Sequence, residues 1–89
     1  MKTAFRKSFQ RDLKTLKKSH EILARIRQKI QEVEAADDLQ EVASVKKLSG
    51  GGTYYRIRVG DYRIGLAIQT DTIVFVRCLH RRDIYRYFP

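Results

Sequence analysis

The residues best suited to chemistry lie in the second half of this chain. Residues 48–89 hold seven basic side chains, and all seven are arginines: Arg56, Arg58, Arg63, Arg77, Arg81, Arg82 and Arg86. A guanidinium is a planar fork that matches phosphate geometry. It stays charged in water, so it holds an anion and stabilises charge developing on it, but cannot serve as a base. RNA carries its own nucleophile, the 2′-hydroxyl, so cutting it asks for positioning, a proton acceptor and a proton donor. His80 is the one side chain in this half whose ordinary titration falls near neutrality. Tyr85 or Tyr87 could donate a proton or stack on a base. No carboxylate pair, Ser/His/Asp set or metal-ligating cluster is visible in the sequence. Metal-independent phosphodiester chemistry, with no cofactor, is therefore the enzymatic reading these residues support.

The local pattern brings several of the arginines together. Tyr54–Val59 and Tyr62–Ile68 flank Gly60-Asp61, a two-residue turn with glycine first, as a type II′ hairpin prefers. That turn sets Val59 opposite Tyr62, Ile57 opposite Ile64 and Tyr55 opposite Leu66 on one apolar face. The other face then pairs Arg58 with Arg63, Arg56 with Gly65 and Tyr54 with Ala67. Like charges directly opposite one another destabilise a sheet. Two guanidiniums over a shallow floor of Gly65 and Ala67 predict a groove that an anion would relieve. A third strand, Thr72–Leu79, follows a turn near Thr70-Asp71. If that turn also has two residues, Cys78 lies opposite Arg63 and His80 shares the groove face. A connection of other parity puts Arg77 there and turns His80 away.

The elements that must hold this hairpin lie upstream. A short strand is expected around Lys2–Lys7. A first helix opens at Ser8, with Asp12 in its first turn and Phe9, Leu13 and Leu16 at helical spacing. Ser19 opens a longer helix with Ile22, Leu23, Ile26, Ile30 and Val33 on one face, ending at Ala35-Ala36-Asp37-Asp38. Gly50-Gly51-Gly52 reads as a turn; no Lys-Ser/Thr follows it, so it is not a phosphate-binding P-loop. Arg81–Pro89 forms a short helix or a tail. The fold class is α+β, with two N-terminal helices packed on a small, mainly antiparallel four-stranded sheet, in one domain spanning residues 1–89.

Composition limits the function classes. Lys and Arg number 19 against 10 Asp and Glu, a net charge of +9, which favours polyanionic partners. Cys78 is the single cysteine, which rules out an internal disulfide. Ile73-Val74-Phe75-Val76 is far too short to span a bilayer, so no membrane role and a cytoplasmic location are expected.

The order of these features resembles the RelE/ParE superfamily of toxin–antitoxin toxins, in its RelE-like branch. The resemblance rests on the two helices, on Tyr-Tyr-Arg-Ile-Arg-Val-Gly-Asp-Tyr-Arg-Ile at 54–64, and on a strand running into His80-Arg81-Arg82-Asp83-Ile84-Tyr85. It implies an mRNA interferase that enters the ribosomal A site, cuts the transcript and is neutralised by a cognate antitoxin, expected to be acidic where it makes contact. It also implies roles for individual residues. Arg56 and Arg58 would bind RNA, where the best-known member of the family has lysines. Arg63 would stabilise the transition state, and Arg81 and either Tyr85 or Tyr87 would complete the catalytic set with His80. Arg82 and Arg86 would add RNA contacts. ParE-like members of the superfamily inhibit DNA gyrase without cutting RNA, and such an inhibitor is the alternative reading.

Overall fold

A computed structural model describes residues 1–49 and 52–89; the turn expected at Gly50 and Gly51 lies outside the described residues. The chain runs through β1 (Lys2–Phe5), α1 (Lys7–Thr15), α2 (His20–Ala35), a 3-10 turn (Leu39–Glu41), β2 (Val45–Lys47), β3 (Tyr54–Val59), β4 (Tyr62–Gln69), β5 (Thr72–His80) and α3 (Ile84–Tyr87). The strands form one five-stranded sheet in the order β1-β5-β4-β3-β2. Every neighbouring pair is antiparallel except β1 with β5. The α+β architecture is the expected one, with one strand more. The added strand, β2, is three residues long and sits at the sheet edge with Lys46 and Lys47 exposed. A short, lysine-rich edge strand carries little hydrophobic signal, which is also why such an edge resists aggregation.

The hairpin register is the one its turn dictates: Arg58 faces Arg63, Arg56 faces Gly65 and Tyr54 faces Ala67. Gly60 has φ +58° and Asp61 does not enter the positive region, the pattern of a type II′ turn. Phe9, Ile26 and Val33 from the helices meet Ile57, Ile64, Leu66 and Phe75 from the sheet, all with no exposed surface. Each of these large side chains contributes about 1.5–3 kcal/mol of burial. The three-ring stack of Phe5, Phe9 and Phe75, with centroids 4.9–5.9 Å apart, ties β1 and α1 to β5.

The β4–β5 register decides what faces the arginines. Gln69 pairs with Thr72 across the two-residue turn Thr70-Asp71, and the pairs continue to Leu66 with Phe75. There the register shifts: Gly65 pairs with Arg77, so Val76 is an extra residue, a β-bulge. Beyond it Arg63 pairs with Leu79 and Tyr62 with His80. Because side chains alternate, the bulge moves Arg77 to the arginine face and Cys78 and His80 to the helix face.

Local bonding accounts for the bulge. β1 pairs with β5 only as far as Phe5 and Phe75, leaving the next edge groups of β5 without a strand partner. Elements of α1 take their place. The Ser8 hydroxyl donates to the Val76 carbonyl at 2.6 Å, and the Cys78 N–H donates to Asp12 Oδ2 at 2.9 Å. Arg77 closes on the same carboxylate with Nε at 2.7 Å and Nη2 at 3.1 Å. Ser8, expected as a helix cap, thus sits one residue inside α1, where Arg6 is the N-cap.

Asp12 therefore satisfies a backbone donor and a guanidinium together, and removing it leaves both partly buried without an acceptor. Asp12→Ala should cost about 3 kcal/mol, from the lost pair and the stranded donors. For a chain of this size that lowers Tm by more than about 10 °C. Burial pushes the Cys78 thiol up to about 12, with Asp12 adding to it, so the folded protein should resist thiol-alkylating reagents at neutral pH. In the Asp12→Ala variant Cys78 should label markedly faster; unchanged labelling and Tm would contradict this role.

Candidate functional site

The face of the sheet away from α1 and α2 carries the arginines, but its floor is not open. Phe88, 3% exposed, lies across Gly65: a Cβ added there would come within 2.8 Å of the ring. Ile84 is fully buried and Ala67 and Val74 nearly so, while the Tyr54 ring meets Phe88 edge-on at 5.6 Å. A small second apolar layer thus covers the ground expected to be groove. The correction has a simple cause. Gly65 and Ala67 leave space, and the chain's own tail, whose apolar residues Ile84 and Phe88 are four apart, fills it.

Docking the tail sets its other residues in place. Successive positions of a helical turn point in different directions, so Ile84 and Phe88 face the sheet while Tyr85 and Tyr87 stay largely exposed. Tyr85 reaches one side, where its hydroxyl oxygen accepts from Arg56 Nε at 3.2 Å. Tyr87 lies on another side, with the Arg77 guanidinium 6.0 Å from its ring centre. Of the two tyrosines, Tyr85 is the one that joins the arginine cluster.

At the centre of that cluster is Arg63. Its Nη1 donates to the carbonyls of Gly60 at 2.8 Å and Tyr62 at 3.0 Å, which fixes the guanidinium. Partial burial lowers its pKa from the usual arginine range, and the neighbouring charges of Arg56, Arg58 and Arg81 lower it further, with Tyr85 opposing. Four guanidiniums therefore crowd one place, and an anion bound among them would relieve their repulsion. Arg56 is steadied by the Ser44 carbonyl, which accepts from its Nη1 at 3.3 Å. Arg81 is anchored at the rim, its N–H donating to the Asp61 carbonyl at 2.7 Å and its side chain 3.6 Å from the Asp61 carboxylate. Arg82 and Arg86 are exposed on the tail and its approach.

His80 is not part of this arrangement. It pairs with Tyr62, its ring meets the Tyr62 ring edge-on at 5.5 Å, and Nδ1 accepts from the Arg82 N–H at 3.2 Å. The Val76 bulge is what turns it to the helix face. Two positions matter here that the residue pattern does not single out: Asp12, which receives Arg77 and Cys78, and Gly65, the socket for Phe88. One signal for Asp12 was available: it is the only acid in a helix that otherwise carries Lys7, Arg11 and Lys14. For Gly65 there was none.

Comparison with known proteins points in one direction. Residues 4–85 match the family described as the ParE toxin of the type II toxin–antitoxin system, parDE. Toxin RelE3 of Methanocaldococcus jannaschii is 46% identical over 90 residues, covering the whole of both chains. Among solved structures, a RelB–RelE antitoxin–toxin complex from Methanococcus jannaschii superposes with a TM-score of 0.81 at 44% identity, over 97% of this chain and 99% of that one. A RelE–RelB complex from Pyrococcus horikoshii gives 0.70 at 25% identity, over 90% and 93%.

The socket for the tail makes a sharp expectation. Gly65→Ala places a methyl group against the Phe88 ring and should destabilise the fold by about 1–3 kcal/mol through overpacking. In a Phe88→Ala background the same substitution should cost little, less than about 0.5 kcal/mol, since its clash partner is gone. Equal costs in the two backgrounds, measured by urea unfolding, would show that Phe88 does not rest on Gly65.

Proposed function

The chain belongs to the ParE toxin family of type II toxin–antitoxin systems, as a toxin of RelE type, and from that premise we propose that it cuts messenger RNA in the ribosomal A site. The observation that carries this reading is the crowding of Arg56, Arg58, Arg63 and Arg81 with Tyr85 at their edge. In the proposed step the 2′-hydroxyl oxygen attacks the adjacent phosphorus. A P–O bond to the 2′-oxygen forms, the bond to the departing 5′-oxygen breaks, and a 2′,3′-cyclic phosphate remains. Arg63 neutralises the charge that builds on the phosphoryl oxygens, in a position already fixed by two carbonyls. Arg56, Arg58 and Arg81 hold the flanking backbone, and Arg82 and Arg86 extend the basic surface. Tyr85 accepts from Arg56 and keeps its own O–H free to protonate the leaving oxygen. The 2′-hydroxyl proton passes to solvent. Guanidinium charge does the work here without a metal ion, and His80, on the far face, has no part.

The same charge recommends the partner. We read this chain as held inactive by a cognate antitoxin that lays an acidic segment over the arginine face, as the RelB–RelE complexes among its structural neighbours invite. Both acts place it in the cytoplasm, where translating ribosomes are. The gyrase-inhibitor alternative is not favoured, because the relative that matches along the full length is a RelE toxin.

Primer extension on a defined mRNA, with and without translating ribosomes, tests this. The wild-type protein should cut within codons only when ribosomes are present. Arg63→Ala should reduce the cutting rate by about 10²–10³-fold, the usual cost of a lost charge-stabilising donor. Arg63→Lys should not restore it, since the fork geometry is gone. Cutting of naked RNA would remove the ribosome from the mechanism. No cutting by a folded sample would overturn the reading.

A further inference from the structure

The arginine cluster does not end at Arg58. Near the end of β3, Arg58 also lines a second cleft, of about 230 Å³, between the sheet and α2. Arg25, Gln28, Lys29 and Glu32 from α2 form one wall, with Ser44 and Val59 on the other side. Three of these side chains are cations and one is an acid, and that acid is engaged: Lys29 Nζ lies 2.8 Å from Glu32 Oε2. The salt bridges among the described residues involve neither Arg25 nor Arg58.

Arg25 is held close by the hairpin turn. Its Nη1 lies 2.8 Å from where a Cβ on Gly60 would stand, so the guanidinium rests against the open face of the turn. Gly60 thus serves two groups, passing its carbonyl to Arg63 and its open face to Arg25. Ser44 links the two regions in the same way. Its carbonyl accepts from the Arg58 N–H at 3.2 Å and from Arg56 Nη1 at 3.3 Å, and the residue also lines the cleft. Two exposed guanidiniums with no ion pair among the described residues flank this small pocket, and their combined field favours an anion between them.

We propose that this cleft is a phosphate subsite, in which Arg25 and Arg58 hold a backbone phosphate of the RNA strand as it leaves the Arg63 centre over the end of β3. The inference rests on the RNA reading above and adds α2 to the substrate path. It favours RNA over an acidic peptide because Arg58 belongs to both regions and Arg56 shares the Ser44 carbonyl. A strand in the cluster therefore continues into the cleft without crossing uncharged ground.

The test uses non-cleavable 2′-O-methyl oligonucleotides, a dinucleotide and a heptanucleotide, with the full chain in its wild-type, Arg25→Gln, Arg25→Lys and Arg63→Ala forms. Circular dichroism melts confirm that each is folded. Arg25→Gln should weaken heptanucleotide binding about tenfold. The dinucleotide should bind it almost as it binds the wild type. The slope of log affinity against log salt should fall by about 0.7, one single-strand phosphate contact. Arg25→Lys should recover most of the loss. A methylphosphonate at one flanking position should reproduce the loss in the wild type and add nothing in Arg25→Gln. If Arg63→Ala weakens both oligonucleotides and Arg25→Gln neither, the cleft is not a subsite while the RNA reading stands. If neither variant changes binding, the RNA reading itself falls. Loss of hexaglutamate binding in Arg25→Gln with RNA binding intact would assign the cleft to a protein partner and overturn the proposal.

Discussion

A single carboxylate, Asp12, holds the architecture in the form the site needs. It stands where β1 stops pairing with β5, accepts from the Cys78 N–H and takes the Arg77 guanidinium side-on through Nε and Nη2. An unpaired sheet edge beside a helix has to be satisfied by something, and here a side chain of that helix does it. The pair is largely shielded from solvent, so its disruption exposes a real desolvation cost. It also fixes the direction of Arg77, which lies under Tyr87, and so links the first helix to the last.

From that constraint the site follows in steps. The bulge at Val76 rotates the end of β5, taking His80 out of the arginine face and bringing Arg77 into it. With no large side chain at Gly65, the tail settles on the sheet through Ile84 and Phe88 and delivers Tyr85 to Arg56. The hairpin turn then anchors Arg63 by its own carbonyl. Like charges gathered on a sheet would ordinarily be selected against as a stability liability. Backbone carbonyls hold Arg63 and Arg56 in place, and under the proposed function the gathered charge serves a polyanion.

Much of this was legible because some interactions are local. A two-residue turn with glycine first fixes register, so Arg58 opposite Arg63 and Arg56 beside Gly65 could be read directly. The helices announced themselves through their apolar spacing. What stayed hidden depends on distant parts of the chain. The bulge arises because β1 ends at Phe5, seventy-odd positions away in the chain, and because Asp12 is there to receive Cys78. The tail's socket is an absence, a missing Cβ at Gly65, and an absence does not say what will fill it. β2 is too short and too charged to stand out. His80 is expected in the site from its chemistry, the strand parity and the family resemblance; the Val76 bulge reverses that parity, and its ring meets Tyr62 edge-on.

In the proposed function these guanidiniums organise the RNA's own 2′-hydroxyl for attack. The most direct measurement is single-turnover cutting of an mRNA bound in ribosomes that carries one 2′-deoxynucleotide at the mapped cut position. Cutting at that position should disappear while the protein still binds and still cuts a neighbouring susceptible codon. Persistent cutting at the deoxy position, at a rate near that of the all-ribose message, would contradict attack by the 2′-hydroxyl.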